Sequence, residues 1–389
     1  MTTTRNVGVT AAKGFRAAGV TAGIKASGTP DLALVVNDGP QLAAAGVFTA
    51  NRVKAAPVLW SEQVVKGGQV SAVVLNSGGA NACTGPAGFQ DTHATAEKVA
   101  AELGLNAGEV AVASTGLIGV RLPMDILLPG VEQAAKALGE DGGEAAAIAI
   151  KTTDTVHKTA QVSQGGWTVG GMAKGAGMLA PSLATMLVVL TTDAVVDAPG
   201  LDAALRAATK VTFDRIDSDG CMSTNDTVLL LASGASGVTP DAGEFAAAVA
   251  AVSADLARQL IGDAEGASKD IRIEVLNAAT EADAVEVART ISRNNLLKCA
   301  LHGEDPNWGR VLAAIGTTSA AFDPNALDVA INNVWVCRDG GVGEDRELVD
   351  MTGREIVITA DLKAGQEQAT VWTNDLTADY VHENSAYST

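Results

Sequence analysis

Lys174-Gly175-Ala176-Gly177-Met178-Leu179-Ala180-Pro181-Ser182-Leu183-Ala184-Thr185 is a stretch broken by glycine and proline that ends on a threonine, and an apolar run, Met186 to Leu190, follows at once. If the peptide bond before Thr185 breaks, its hydroxyl and a new α-amine sit on adjacent carbons, a nucleophile with a built-in base. A second segment, Ser114-Thr115-Gly116-Leu117-Ile118-Gly119, follows the strand-like residues 110–113. A hydroxyl beside a glycine amide supplies two donors to a developing oxyanion. Taken alone, this segment is most simply a strand-end turn. Glu265, in Asp263-Ala264-Glu265-Gly266-Ala267-Ser268-Lys269, offers a carboxylate to a substrate cation, or else a solvated helix end.

More familiar chemistry finds no support. The four histidines, His93, His157, His302 and His382, form no H-E-x-x-H pair, and no G-x-S-x-G elbow is present. No phosphate loop of the G-x-x-x-x-G-K-[ST] type occurs, and the glycines from Gly170 to Gly177 precede a strand rather than open a helix. Asp305-Pro306-Asn307-Trp308-Gly309-Arg310 reads as a rigid turn, and the tail Asn384-Ser385-Ala386-Tyr387-Ser388-Thr389 as a frayed end.

These residues need elements to hold them. Strand-like runs recur at residues 32–36, 70–75, 110–113, 186–190, 228–231, 271–276, 334–336 and 356–358. Helical spacing marks 89–103, 203–211, 245–261 and 284–297. The mixture predicts an α/β or α+β body with strands and helices in layers. Apolar residues make up 47% of 389 residues, enough for a large core, while aromatics are only 3%, which favours closely approaching backbones. The net charge of −18 is spread along the chain and gives nucleic acid no basic patch. Cys83, Cys221, Cys299 and Cys337 form no C-x-x-C pair, which fits reduced thiols in a cytoplasmic protein. The N-terminus shows no signal-peptide pattern. The uncharged run 175–192 carries Gly, Pro, Ser and Thr, the composition of a buried loop and strand rather than a membrane span.

In order, Lys13-Gly14-Phe15, Ala22-Gly23-Ile24-Lys25, Asn76-Ser77-Gly78-Gly79-Ala80-Asn81-Ala82-Cys83-Thr84-Gly85, Ser114-Thr115-Gly116, Thr152-Thr153-Asp154-Thr155, Lys174-Gly175-Ala176-Gly177-Met178, Ala184-Thr185-Met186-Leu187, Ser223-Thr224-Asn225-Asp226-Thr227, Glu265-Gly266, 305–310, and Asn384-Ser385 with Thr389 resemble the ornithine acetyltransferase family of arginine biosynthesis, also called the glutamate N-acetyltransferase family. The set spans essentially the whole chain. Gly79 departs from the family's usual Asn, Cys221-Met222 replaces more polar residues, and Lys151 stands where an apolar residue is common.

The resemblance implies a layered αββα sandwich related to an aminopeptidase group. It also implies self-cleavage between Ala184 and Thr185 into pieces 1–184 and 185–389 that stay intertwined and pair into a heterotetramer. Thr185 is then the nucleophile, Thr115 and Gly116 stabilise the oxyanion, and Lys174, Glu265, Asn384, Thr389 and Thr152 or Thr153 contact substrate. The implied reaction is ping-pong acetyl transfer from N-acetylornithine to glutamate through an acetyl-threonine ester. It uses no cofactor and no metal, and some members also accept acetyl-CoA as donor. The alternatives are a related self-processing aminopeptidase or amidase, and a non-catalytic amino-acid-binding protein.

Overall fold

The computed structural model describes residues 7–180 and 186–386. Their strands, numbered in chain order, form three sheets. Sheet A is β1 (Phe15–Val20), β2 (Leu32–Asn37), β4 (Ala72–Asn76) and β5 (Val110–Ser114), in that order. Sheet B runs β3 (Ala43–Phe48), β9 (Thr227–Ala232), β8 (Leu187–Thr192), β7 (Trp167–Lys174), β6 (Lys158–Gln164). Sheet C runs β13 (Gly341–Val342), β12 (Val334–Arg338), β11 (Asp328–Ile331), β14 (Glu355–Asp361), β10 (Asp270–Ala278), β15 (Glu367–Asn374).

Side-chain alternation dictates the layers, because successive residues of a strand point to opposite faces. Ala33 and Val35 of β2 and Val73 and Leu75 of β4 pack with Leu187 and Val189 of β8 and Leu229 and Leu231 of β9. That cluster is the seam between sheets A and B. On the far side of sheet A, Leu32, Leu34, Val36 and Val74 meet α2 (Gly85–Leu103) and α3 (Met124–Lys136). On the far side of sheet B, Val188, Leu190, Val228 and Leu230 meet α5 (Ala198–Val211) and α6 (Ala242–Gly262). The order helix, sheet, sheet, helix is the αββα sandwich. Strands buried on both faces explain the continuous apolar runs in place of alternation. Val64 of α1 (Ala56–Lys66) and Ala146, Ala147 and Ala149 of α4 (Gly143–Ala149) complete the seam.

Capping fixes where helices begin. Asp241 accepts from the N–H groups of Gly243 and Glu244 to start α6, and Asp197 accepts from Gly200 N–H to start α5. Helix α6 is long and apolar enough to cross a membrane by composition, yet Val249, Leu256 and Leu260 are fully buried against the sandwich. The helical pattern at 284–297 is not one helix. It divides into α7 (Glu281–Ser292) and α8 (Asn295–His302), because the Asn294 side chain accepts from Leu297 N–H and starts a new helix. Together with α9 (Trp308–Ile315), these cover one face of sheet C. The turn expected at 305–310 holds as far as Asn307, and its last residues form the first turn of α9.

Sheet B draws β3, β6 and β7 from before the 184/185 junction and β8 and β9 from after it. Antiparallel pairing of β7 with β8 ends at Lys174 opposite Leu187. The C-terminal α10 (Ala378–Ala386) lies outside the sheets and brings Asn384 back toward the sandwich.

Candidate active site

Ala184, Thr185 and Thr389 lie outside the described residues. The other seven sequence-predicted residues, Thr115, Gly116, Thr152, Thr153, Lys174, Glu265 and Asn384, line one cleft that opens to solvent. Five separate segments deliver them: the end of β5, the turn after α4, the end of β7, the link between α6 and β10, and α10.

Gly116 follows β5 with φ +131°, and a Cβ there would lie 2.8 Å from the Gly79 nitrogen. Only glycine takes this backbone path against the 78–79 turn. Thr115 is pinned by its own N–H, which donates to Asn76 O at 3.0 Å. Asn225, in the loop before β9, braces the same region, donating from Nδ2 to Ser114 O at 2.8 Å and to Ala80 O at 2.6 Å.

Lys174 is 1% exposed. Its Nζ donates to Thr152 Oγ1 at 2.7 Å and to Thr115 Oγ1 at 3.3 Å. An ammonium only donates, so both hydroxyls accept from it and keep their own protons for the cleft. Thr115 is thereby left as a donor, the role an oxyanion requires. An ammonium has three N–H groups, and among the described residues two acceptors meet Lys174, which leaves one N–H for a ligand. Burial pushes the Lys174 amine below its usual value, against the pull of Asp154.

Asp154 is the hub beneath these residues. Its Oδ1 accepts from Lys158 Nζ at 2.7 Å and from Gly175 N–H at 2.7 Å, and its Oδ2 accepts from Thr152 N–H at 3.0 Å. Lys158, fully buried, also reaches Asp263 at 2.5 Å. One carboxylate thus ties the threonine turn to the strand end bearing Lys174, while Lys158 ties both to the segment bearing Glu265. Burial opposes the Asp154 charge, but Lys174, Lys158 and Gly175 N–H outweigh it and hold the carboxyl at about 2.

Glu265 and Asn384 meet across the mouth, with Asn384 Nδ2 donating to Glu265 Oε2 at 2.9 Å. A Cβ on Gly177 would lie 2.6 Å from that same oxygen, so glycine there makes room for the carboxylate. Nearby Tyr380 is pushed up to about 12 by burial, with Asp219 and Glu265 adding to it, and stays protonated.

The departures at 79, 151 and 221 sit as follows in the structure. Gly79 packs beside Gly116, Lys151 turns away to Thr155 O at 3.2 Å, and the Cys221 side chain is exposed. The four cysteines are free thiols. Among the described residues, no group of three or more His, Cys, Asp or Glu is placed to hold a metal ion. The cleft also takes in Ala80, Ile118, Met178, Ser223, Thr224 and Asn225. Several stand in the motifs quoted above, yet nothing in their types or spacing assigns them a task. Asp154, Lys158 and Asp263 carry no sequence signal of partnership, because Asp263 joins the other two only across the fold.

The ArgJ family model matches residues 16–389. The arginine biosynthesis bifunctional protein ArgJ of Streptomyces avermitilis is 79% identical over 380 residues, covering 98% of this chain and 99% of the relative. The protein of the same name from Mycobacterium leprae is 59% identical over 392 residues, covering 99% and 96%. Among solved structures, the ornithine acetyltransferase of Mycobacterium tuberculosis, complexed with ornithine, is 63% identical with a TM-score of 0.45, covering 47% of this chain and 97% of that one. The chain belongs to the ArgJ family and is an acetyltransferase of arginine biosynthesis.

Proposed function

We propose that this enzyme cuts itself between Ala184 and Thr185 and that Thr185 then carries an acetyl group from N-acetylornithine to glutamate. The observation that carries this reading is the convergence of Thr115, Gly116, Thr152, Thr153, Lys174, Glu265 and Asn384 on one cleft, with Leu187, two residues after Thr185, paired to Lys174 at its wall. In maturation, Thr185 Oγ attacks the Ala184 carbonyl carbon, an O–C bond forms and the C–N bond breaks. The hydroxyl proton ends on the freed amine. Water then opens the ester, leaving an Ala184 carboxylate and restoring the hydroxyl.

In the first half of transfer, Thr185 Oγ attacks the acetyl carbonyl of the donor and its α-amine takes the proton. An α-amine has a reference pKa of about 7.7–8.0, so a fair fraction is neutral near pH 7. The Thr115 hydroxyl and Gly116 N–H receive the oxyanion. The amine proton passes to the departing ornithine nitrogen, and the acetyl group stays on Thr185. Glutamate attacks that ester by the reverse sequence. One amide is exchanged for another, so the equilibrium lies near unity. Glu265 pairs with the side-chain ammonium of the donor, and the remaining N–H of Lys174 faces a carboxylate. Thr389 joins Asn384 in holding substrate. The reaction calls on no cofactor, and acetyl-CoA is a second acetyl source to be tested. The pieces 1–184 and 185–389 form one body, and two such bodies make a heterotetramer in the cytoplasm.

Intact-mass spectrometry under denaturing conditions tests the maturation: two pieces, the second beginning at Thr185, are expected. A single full-length species that transfers acetyl groups would overturn the nucleophile assignment. Acetate release from acetylornithine, measured with and without glutamate, separates transfer from hydrolysis.

A further inference from the structure

Asn225 stands in the loop before β9, is 4% exposed and lines the cleft, yet the reaction sequence above gives it no part. Its carboxamide is committed inward at both ends. Nδ2 donates to Ala80 O at 2.6 Å and to Ser114 O at 2.8 Å, which uses both of its N–H groups. Oδ1 accepts from Thr224 Oγ1 at 2.6 Å, and Asn225 N–H donates to Ser223 Oγ at 3.1 Å. Two carbonyls on one side and a hydroxyl on the other admit one orientation of the amide. The side chain borders the place where a ligand sits and has no donor left for it.

The two carbonyls belong to two neighbouring turns. Ser114 O and Thr115 N–H are the ends of one peptide unit; Asn225 holds the first, and Asn76 O accepts from the second at 3.0 Å. A peptide pinned at both ends cannot rotate, and it sets the direction in which the Thr115 side chain and the Gly116 N–H leave. Ala80 belongs to the turn behind. Its N–H donates to Leu117 O at 3.1 Å, and a Cβ on Gly116 would stand 2.8 Å from the Gly79 nitrogen. One amide thus clamps the donor-bearing turn and the turn it rests on. Two residues further along, Thr227 opens β9 and pairs with Leu187 of β8, so the turns at the edge of sheet A are referenced to sheet B through Asn225. Resting on the reading of Thr115 and Gly116 as oxyanion donors, we propose that Asn225 is the positioning residue of that oxyanion site. It touches no reacting atom. It holds both donors where the tetrahedral charge develops, and because that charge develops in each half of the transfer, both halves depend on it equally.

The test uses Asn225→Ala and Asn225→Asp in the full chain, each alone and combined with Thr115→Val. Cleavage is counted by intact mass, kcat is expressed per cut molecule, and folding is followed by thermal melting. Aspartate keeps the bulk but sets an oxygen against the two carbonyls in place of both N–H donors. Both variants are expected to lower kcat roughly a hundredfold, the scale of a small misplacement of reacting groups. KM should stay within about threefold, so that kcat/KM falls by the same factor for acetylornithine and for glutamate, the signature of an interaction made only in the transition state. A merely structural role lowers the melting temperature without this split, and a substrate contact raises KM for one substrate. Thr115→Val should lose roughly a hundred- to a thousandfold. Adding Asn225→Ala to it should cost far less than the product of the two losses, because both act on one oxyanion. If Asn225→Ala does not fold or stays uncut, Asn225→Ser, which keeps one donor, takes its place with a smaller loss and the same split. Parental kcat in the Asn225 variants overturns the proposal, as does a loss confined to one substrate or one that multiplies in full with Thr115→Val. If Thr115→Val itself keeps parental kcat, the oxyanion reading fails and Asn225 falls with it. If Thr115→Val is slow while the Asn225 variants are not, only the role of Asn225 is lost.

Discussion

Asp154→Asn is the sharpest probe of how the cleft is held together. The substitution keeps the shape of the side chain but removes the charge that meets Lys158 at 2.7 Å with both side chains fully buried. The drop of the Asp154 carboxyl from 3.8 to about 2 corresponds to roughly 2 kcal/mol favouring the folded ionised form. Removing one partner of a buried ion pair typically costs about 3–5 kcal/mol, and here Asp263 still meets Lys158, so about 2–4 kcal/mol is expected. At about 2.1 cal/mol/K per residue, 389 residues unfold with an entropy near 0.8 kcal/mol/K, which turns this loss into a fall in Tm of ~3–5 °C. The pH dependence has a definite sign. The folded carboxyl lies below its ordinary value, so its contribution is complete above about pH 4 and is lost as pH falls toward about 2. The difference in Tm between parent and variant should therefore be constant from pH 5 to 7 and close between pH 4 and 2. Carboxylates remote from Lys158 titrate alike in both proteins and cancel in the difference. Because Asp154 also positions Thr152 and Gly175, kcat for acetyl transfer should fall about a hundredfold at pH 7. A Tm difference of the same size at pH 3 and pH 7, or a kcat within twofold of the parent, would refute the hub.

Lys174→Met should lower kcat by about a hundred- to a thousandfold, as for loss of an oxyanion donor, because Thr115 is no longer held as a donor; an unchanged kcat in steady-state assays would separate Lys174 from the chemistry. Gly116→Ala places a Cβ 2.8 Å from the Gly79 nitrogen at φ +131° and should cost about 1–3 kcal/mol in thermal melts besides disabling the oxyanion site; parental melting and rate would contradict that. Glu265→Gln should raise KM for acetylornithine well above any change for glutamate, and equal changes for both would show that Glu265 does not meet the donor's ammonium.

The strands were legible because residues such as Val188 to Leu190 and Val228 to Leu231 are buried on both faces and cannot hide among polar neighbours. Their order was not, since β3 pairs with β9 across nearly two hundred residues and no local pattern encodes that pairing. The break at Asn294 was missed because apolar spacing continues through it; the capping side chain, not the periodicity, ends one helix and starts the next. Of the cleft, the motifs exposed the residues that face a ligand. The layer beneath stayed hidden, because a buried Lys158 looks like any surface lysine until Asp154 and Asp263 are seen around it.

Sheet B has one further consequence. The last pair of β7 and β8 places Lys174 beside Leu187, and β3 lies against β9, so chain from both sides of the 184/185 junction is woven into one hydrogen-bonded surface. While the junction is whole, folding is unimolecular and independent of protein concentration. With the cut proposed above, the same surface becomes an interface between two molecules, and reassembly after complete unfolding depends on their encounter. The tether supplies, for a single use, an effective concentration that the mature pieces lack. An uncut precursor should refold readily after dilution from denaturant. The cut enzyme, equally well packed, should recover in proportion to its concentration or be lost to aggregation, so that its lifetime is set by how slowly it first comes apart.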